Sequence, residues 1–187
     1  MQGIANLTNH FLIAMPGLRD PNFARTVTYI CEHTEKGAMG IVVNRPLELS
    51  LADVLEHMNI ASAAPDIGTQ PVYLGGPVDN ERGFVLHTRT APWSSTLKVT
   101  NGIYITTSRD ILEAMARGEG PERTLVALGY AGWASGQLEN EMQDNAWLSG
   151  PSDIAVLFDL PAEERWAAAA RLLGVDLTLL SAEAGHA

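Results

Sequence analysis

The chain has 187 residues, 46% hydrophobic and 18% charged, which is ordinary globular usage and excludes a disordered or fibrous protein. Its 12 basic and 22 acidic residues give a formal net charge of −10, and no two basic residues are adjacent, which argues against direct nucleic-acid binding. The lone cysteine, Cys31, excludes an internal disulfide and a cysteine-based zinc site, and no stretch approaches the roughly 20 apolar residues of a membrane span.

A chain of this size is expected to fold as one domain over 1–187, without a metal or cofactor. Residues 1–10 hold no Lys or Arg ahead of the short apolar run at 11–15, unlike a secretory signal. One thiol and no such signal point to the reducing cytoplasm.

In chain order, residues 11–14 (FLIA) form an apolar run, and 26–33 (TVTYICEH) alternate as a β-branched strand. Gly37 supplies the turn of a hairpin into 39–44 (MGIVVN), which Arg45-Pro46 ends. Ser50-Leu51-Ala52-Asp53 is a capping box that starts a helix through Val54, Leu55 and Met58. Short strands follow at 72–74, 83–87 and 103–107, the first stopping at Gly75-Gly76-Pro77, where the backbone can approach something closely. Thr107-Ser108-Arg109-Asp110 repeats the capping pattern before Ile111, Leu112 and Met115, and Gly118 suits the stop. Strands at 124–128 and 154–158 complete the set. Residues 136–142 form a short helix, and 161–173 a longer one with Pro161 at its start, Trp166, Ala169, Ala170 and Leu173 in its apolar stripe, and Gly174 at its end. Hairpin-like pairs at the front and dispersed helices predict an α+β fold, with a mixed, largely antiparallel, curved sheet flanked by helices.

Several strings resemble the AlgH/YqgE family of bacterial proteins. They include HFLIAMP at 10–16, DPNF at 20–23, YICEH at 29–33, GAMGIVVNRP at 37–46, LGGPV at 74–78 and RGFVLH at 82–87. TTSRD at 106–110, LGYAGW at 128–133, GQLE at 136–139, DNAWL at 144–148 and GHA at 185–187 continue the match to the end. The resemblance implies a curved, bifurcated sheet with a small barrel-like core, surrounded by helices. Some members carry the label of transcriptional regulator, including of exopolysaccharide synthesis. No catalytic residue set carries over with it.

Four places combine reactive or polar groups. Cys31 and His33 fall on one face of their strand, about 6.6 Å apart along it. The thiol is either a small buried hydrophobe or, if His33 leans across, an activated nucleophile. Asn44 and Arg45 end a strand before Pro46, either as a bonded turn or as a ligand contact. Thr106, Thr107, Ser108 and Arg109 bring hydroxyls and a guanidinium to a helix start, which suits an anion unless Asp110 caps the same N–H groups. Residues 129–133 (GYAGW) read as a glycine-spaced aromatic loop. Tyr130, Trp133, Gln137, Glu141 and Trp147 there offer either core packing or a partner surface. The histidines show no metal spacing.

These features predict a non-enzymatic regulator that binds a protein partner or a small polar or anionic ligand, with any effect on transcription indirect. The alternative is a small enzyme using Cys31 and His33 or the Ser108–Arg109 helix start. The binding reading requires the Asn44–Arg45 turn and the hydroxyl-rich helix start to share one concave surface.

Overall fold

The computed structural model describes residues 6–184 apart from 63, 65 and 90–92, with side chains in the last helix as far as Leu180. The 185–187 string therefore lies outside the described residues, as do the first five residues of the N-terminal reading. Ten strands run β1 (His10–Ala14), β2 (Val27–Thr34), β3 (Gly37–Val42), β4 (Pro46–Ser50), β5 (Pro71–Leu74), β6 (Val78–His87), β7 (Thr96–Thr100), β8 (Ile103–Thr106), β9 (Thr124–Ala134) and β10 (Trp147–Pro151). Among the described residues the α-helices are α1 (Leu51–His57), α2 (Arg109–Ala116), α3 (Gln137–Gln143), α4 (Ala162–Arg171) and α5 (Leu177–Ala184).

The strands form one curled, largely antiparallel sheet in the order β10-β1-β2-β3-β9-β6-β8-β7, with the β4–β5 ribbon branching off at β9. Val126 and Leu128 of β9 pair with β6 on one edge and, in parallel, with β5 on the other. Farther along, Ala131 to Ala134 pair with β3. The fork needs a close backbone crossing, which Gly75 provides. Its N–H donates to Leu128 O at 2.8 Å and its carbonyl accepts from Val42 N–H at 2.7 Å. A Cβ on Gly75 would stand 2.3 Å from Gly129 O, and one on Gly76 2.1 Å from the Tyr130 carbonyl carbon.

Alternation along the strands divides the interior. Leu125 and Ala127 of β9, Phe84 and Leu86 of β6, and Phe11 and Ile13 of β1 face one core, which α4 and Leu177 close. The opposite face is split. Val126, Val85 and Val72 pack under α1 and α2, while Leu12, Ile30, Ala131 and Trp133 pack with Leu138 of α3.

Several expectations need correction. Residues 154–158 are not a strand: Ala155–Asp159 form a turn of π-helix, ahead of which the Asp153 carboxylate accepts from Val156 N–H at 3.0 Å, a local bond that competes with strand pairing. Residues 129–133 are not a loop. They extend β9, with Gly129 at φ +79 where the strand turns from one branch to the other. The strand expected at 39–44 does end before Arg45-Pro46, but it stops at Val42, and Pro46 opens the next strand, β4, as an edge position lacking a ladder donor allows. The Thr107-to-Asp110 capping box does not form: Ser108 is the N-cap and makes no side-chain cap bond. Asp110 instead accepts from the Ser94 N–H and hydroxyl, at 2.8 and 3.1 Å.

Candidate functional site

Where β8 passes into α2, Thr106, Thr107, Ser108 and Arg109 form one wall of a cleft of about 680 Å³. The opposite wall is α1, which contributes Asp53, Val54, His57 and Met58, and the sheet supplies Val85, Val126 and Leu128 as floor. Leu49, Val54, Met58 and Leu128 are only half buried, so the core beneath α1 and α2 opens to solvent along this cleft.

The walls are tied at their ends. The Arg109 guanidinium donates to Met58 O at 2.7 Å, across from α2 to the C-terminal cap of α1. A cation there complements the negative end of the α1 dipole. At the start of α1 the capping box does form, with Ser50 N–H donating to Asp53 Oδ2 at 2.9 Å. That bond, with the Ser50 hydroxyl, holds the Asp53 carboxyl below the usual range. Burial pushes the Asp110 carboxyl up, but bonds from Ser108 and Ser94 outweigh it and hold it low. The rim is completed by Asn80 and Glu81. They sit in a bulge: between Val78↔Tyr130 and Gly83↔Leu128, four residues of β6 oppose one of β9.

Not every expected hydroxyl is available. Thr106 Oγ1 lies 2.7 Å from His87 Nε2 and 2.7 Å from Thr96 Oγ1, with the residue fully buried. Ser108 Oγ accepts from Ser95 N–H at 3.1 Å and donates to Asp110. Thr107 is exposed, and Arg109 keeps further N–H groups beyond the one given to Met58.

The structure places Asn44 and Arg45 away from this cleft. Asn44 accepts from Val27 N–H and donates to Arg25 O, each at 2.9 Å. Arg45 donates to the carbonyls of Pro21, Asn22 and Ala24 at 2.7, 2.7 and 2.8 Å. Their polar groups organise the loop before β2, and the single concave surface expected for all six residues is not formed.

Cys31 and His33 are separated too. The β2–β3 register passes from Ile30↔Gly40 to Glu32↔Met39, so Cys31 is the extra residue of a bulge and the alternation slips there. Cys31 packs in the core with Tyr29, its Sγ 3.8 Å from Tyr29 O, and burial pushes its thiol far up. His33 turns to the α3 side. Its Nδ1 accepts from Leu7 N–H at 2.9 Å and its Nε2 lies 2.6 Å from Glu139 Oε1.

Trp133 and Trp147, offered as partner surface, are 5% and 4% exposed. Both indole N–H groups donate to Glu141 Oε1 at 3.0 Å, Gln137 donates to Oε2 at 2.9 Å, and Phe23 packs against both rings. Tyr130 is half buried with its ring edge-on to Phe84. The two indoles, Phe23, Gln137 and Glu141 form a satisfied aromatic cluster with Gln137 its exposed member, whereas Tyr130 packs against the separate core that α4 closes. Sequence reasoning missed the α1 wall, although the Ser50–Asp53 box marked its helix, and the Asn80–Glu81 rim, which only a register shift creates. Among the described residues no helix is long and apolar enough to cross a membrane.

Comparison with known proteins agrees with this architecture. The chain matches the family model described as AlgH-like over residues 11–178. A UPF0301 protein of Thioalkalivibrio sulfidiphilus is 62% identical over 187 residues, covering 100% of both chains. One of Methylococcus capsulatus is 58% identical over 180 residues, 96% of each chain. The solution structure of the AlgH protein from Pseudomonas aeruginosa matches with a TM-score of 0.81 and 54% identity, covering 100% of this chain and 99% of that one. Protein DIP2367 of Corynebacterium diphtheriae shares the fold, with a TM-score of 0.76 at 19% identity over 97% of this chain and 94% of its own. Matched over most of its length by the family model and over all of it by such relatives, the chain belongs to the AlgH-like family.

Proposed function

We propose that the chain works by binding rather than catalysis, as a cytoplasmic regulator whose cleft between α1 and α2 receives a segment of a protein partner or a small polar ligand. The observation that supports this most directly is the half-exposed apolar lining of Leu49, Val54, Met58 and Leu128 beside a polar rim of Asp53, His57, Thr107 and Arg109. Apolar area gives affinity, and a few placed polar groups give orientation. A net charge of −10 opposes approach to DNA, so any effect on transcription passes through the bound partner.

The test is capture of partners on the immobilised chain in nuclease-treated extract, then titration of each purified partner or ligand. Val54→Glu puts a charge on the apolar lining and should weaken binding at least about tenfold, since an unpaired charge facing an apolar surface costs well over 1.4 kcal/mol. Leu97→Glu, on an already exposed strand position, should leave it unchanged. Absence of any saturable partner or ligand, or binding indifferent to Val54→Glu, would end this reading.

A further inference from the structure

Asn44 and Arg45 do not line the cleft, yet their bonds converge on one loop, and that loop carries Arg25. Arg25 has φ +58, a left-handed conformation that a non-glycine residue adopts at a cost of about 1 kcal/mol or more. The loop is held in place by Arg45, which takes three of its carbonyls, and by Asn44, which donates to the Arg25 carbonyl. The result is a held backbone from which the Arg25 guanidinium reaches over Trp166. Its carbon lies 5.4 Å from the Trp166 ring centroid, and the Trp166 N–H is anchored on Ala14 O at 2.9 Å. A guanidinium held over an aromatic face by cation–π attraction can still give N–H groups to an oxyanion.

Those groups border a second pocket, of about 660 Å³, formed by α4, the turn at Gly174 and the first turn of α5. Arg171 is its other cation. Neither Arg25 nor Arg171 makes an ion pair among the described residues. The pocket's carboxylate, Asp176, accepts from Thr178 N–H at 2.9 Å. Two guanidinium groups against one carboxylate make the pocket locally positive on a chain whose net charge is −10. Ala167, Val175 and Leu177 add an apolar side.

We propose that this pocket binds the phosphate group of a small phosphorylated molecule, with Arg25 and Arg171 as the clamp and the apolar side receiving the organic part. Guanidinium forks from two sides of a pocket suit a doubly charged tetrahedral oxyanion better than a monovalent carboxylate. Asn44 and Arg45 then act as positioning residues, one step behind the contact. The pocket is distinct from the α1–α2 cleft, and the proposal does not depend on what that cleft binds.

The test is NMR of the arginine side-chain Nε–H groups in the full chain, titrated with inorganic phosphate, glycerol 3-phosphate and acetate at constant ionic strength. The Arg25 and Arg171 signals should shift saturably with both phosphates and not with acetate. Arg25→Gln and Arg171→Gln should each weaken binding by about tenfold or more, the loss expected for one charge-assisted contact. Arg117→Gln, which removes a cation paired with Glu119 elsewhere, should change nothing. Should Arg25→Gln disturb the loop, Arg171→Gln decides, because that side chain is exposed at a helix end. The proposal is overturned by a lack of saturable shifts, by an equal response to acetate, or by binding that ignores both substitutions.

Discussion

His87 is fully buried between Trp93 and Tyr104, and its hydrogen bonds can be counted proton by proton. Nδ1 lies 3.1 Å from both Thr88 O and Arg89 O, which only accept, so Nδ1 carries the proton of the neutral ring. Nε2 must then accept from the Thr106 hydroxyl, which in turn accepts from Thr96. In that arrangement Thr96 has no hydrogen left for Trp93 O, 3.3 Å away. Protonating Nε2 reverses the chain: His87 donates to Thr106, Thr106 to Thr96, and Thr96 to Trp93 O. Burial nevertheless lowers the His87 pKa, with the Thr88 and Arg89 carbonyls only partly offsetting it. The groups around the ring are Tyr104, Trp93, Thr106 and Thr96, with Lys98 exposed on the strand beyond Tyr104. A depressed histidine pKa means that the unfolded chain binds the proton first. Native stability is therefore unaffected above the unfolded pKa near 6.5 and declines as pH falls from there through the folded pKa. Thr106→Val removes the acceptor that the charged ring needs, so the His87 pKa should fall further, read by NMR of the imidazole protons. An unchanged pKa in Thr106→Val would show that the hydroxyl chain does not reach the ring.

Elements with local punctuation were legible in the sequence, and those made by non-local pairing were not. The Ser50–Asp53 box and the glycines at 118 and 174 set helix ends that any short window reveals. The strand β10 carries Ser149, Gly150 and Pro151, weak strand formers that pair only because β1 is already in place. The helix start at Thr107 to Arg109 was readable as a polar site. Its partner wall on α1 was not, because 51 residues separate Arg109 from the Met58 carbonyl it binds. The same holds for His33, whose bulge in β2 turns it from Cys31 toward α3. Since Leu7 N–H donates to Nδ1, the proton of the neutral ring sits on Nε2 and points at Glu139. That bond holds the Glu139 carboxyl below its ordinary range. Glu139 therefore stabilises the native chain above its unfolded pKa, and the contribution disappears as pH falls through the lower, folded one. Glu139→Gln should cost roughly 1 kcal/mol near pH 7 and leave stability nearly unchanged once the carboxyl is protonated. Urea unfolding at the two pH values checks this, and an equal cost at both would mean that the ion-assisted bond is not what holds α3 to β2.

Across the whole molecule, the free edges of the sheet are guarded while the core beneath α1 and α2 opens to solvent. The edge strand β7 is five residues long, carries Lys98 and breaks register between Lys98 and Thr100, and β10 ends at Pro151. Such features discourage pairing between copies. The architecture instead concentrates its risk at the fork, where one residue, Gly75, bonds to both branches and lets the crossing backbones touch. No rotamer can relieve a Cβ at 2.3 Å from the Gly129 carbonyl, because the obstacle is backbone. Gly75→Ala must therefore move β5 away from β9, losing the bonds to Leu128 O and Val42 N–H together. Two buried backbone bonds left unmade cost about 1–3 kcal/mol each, before the strain on the branch is counted. That is a large fraction of the roughly 5–15 kcal/mol by which a domain is stable. Gly118→Ala, at a helix end with only the Ala64 Cβ nearby at 3.8 Å, adds the same methyl in a left-handed turn and should cost only about 1 kcal/mol. Thermal unfolding of the pair should show Gly75→Ala melting far lower than Gly118→Ala, or failing to fold. If the two melted alike, the crossing at Gly75 would not be what joins the branches, and the α1–α2 cleft, whose floor includes Leu128 beside that crossing, would lose its structural basis.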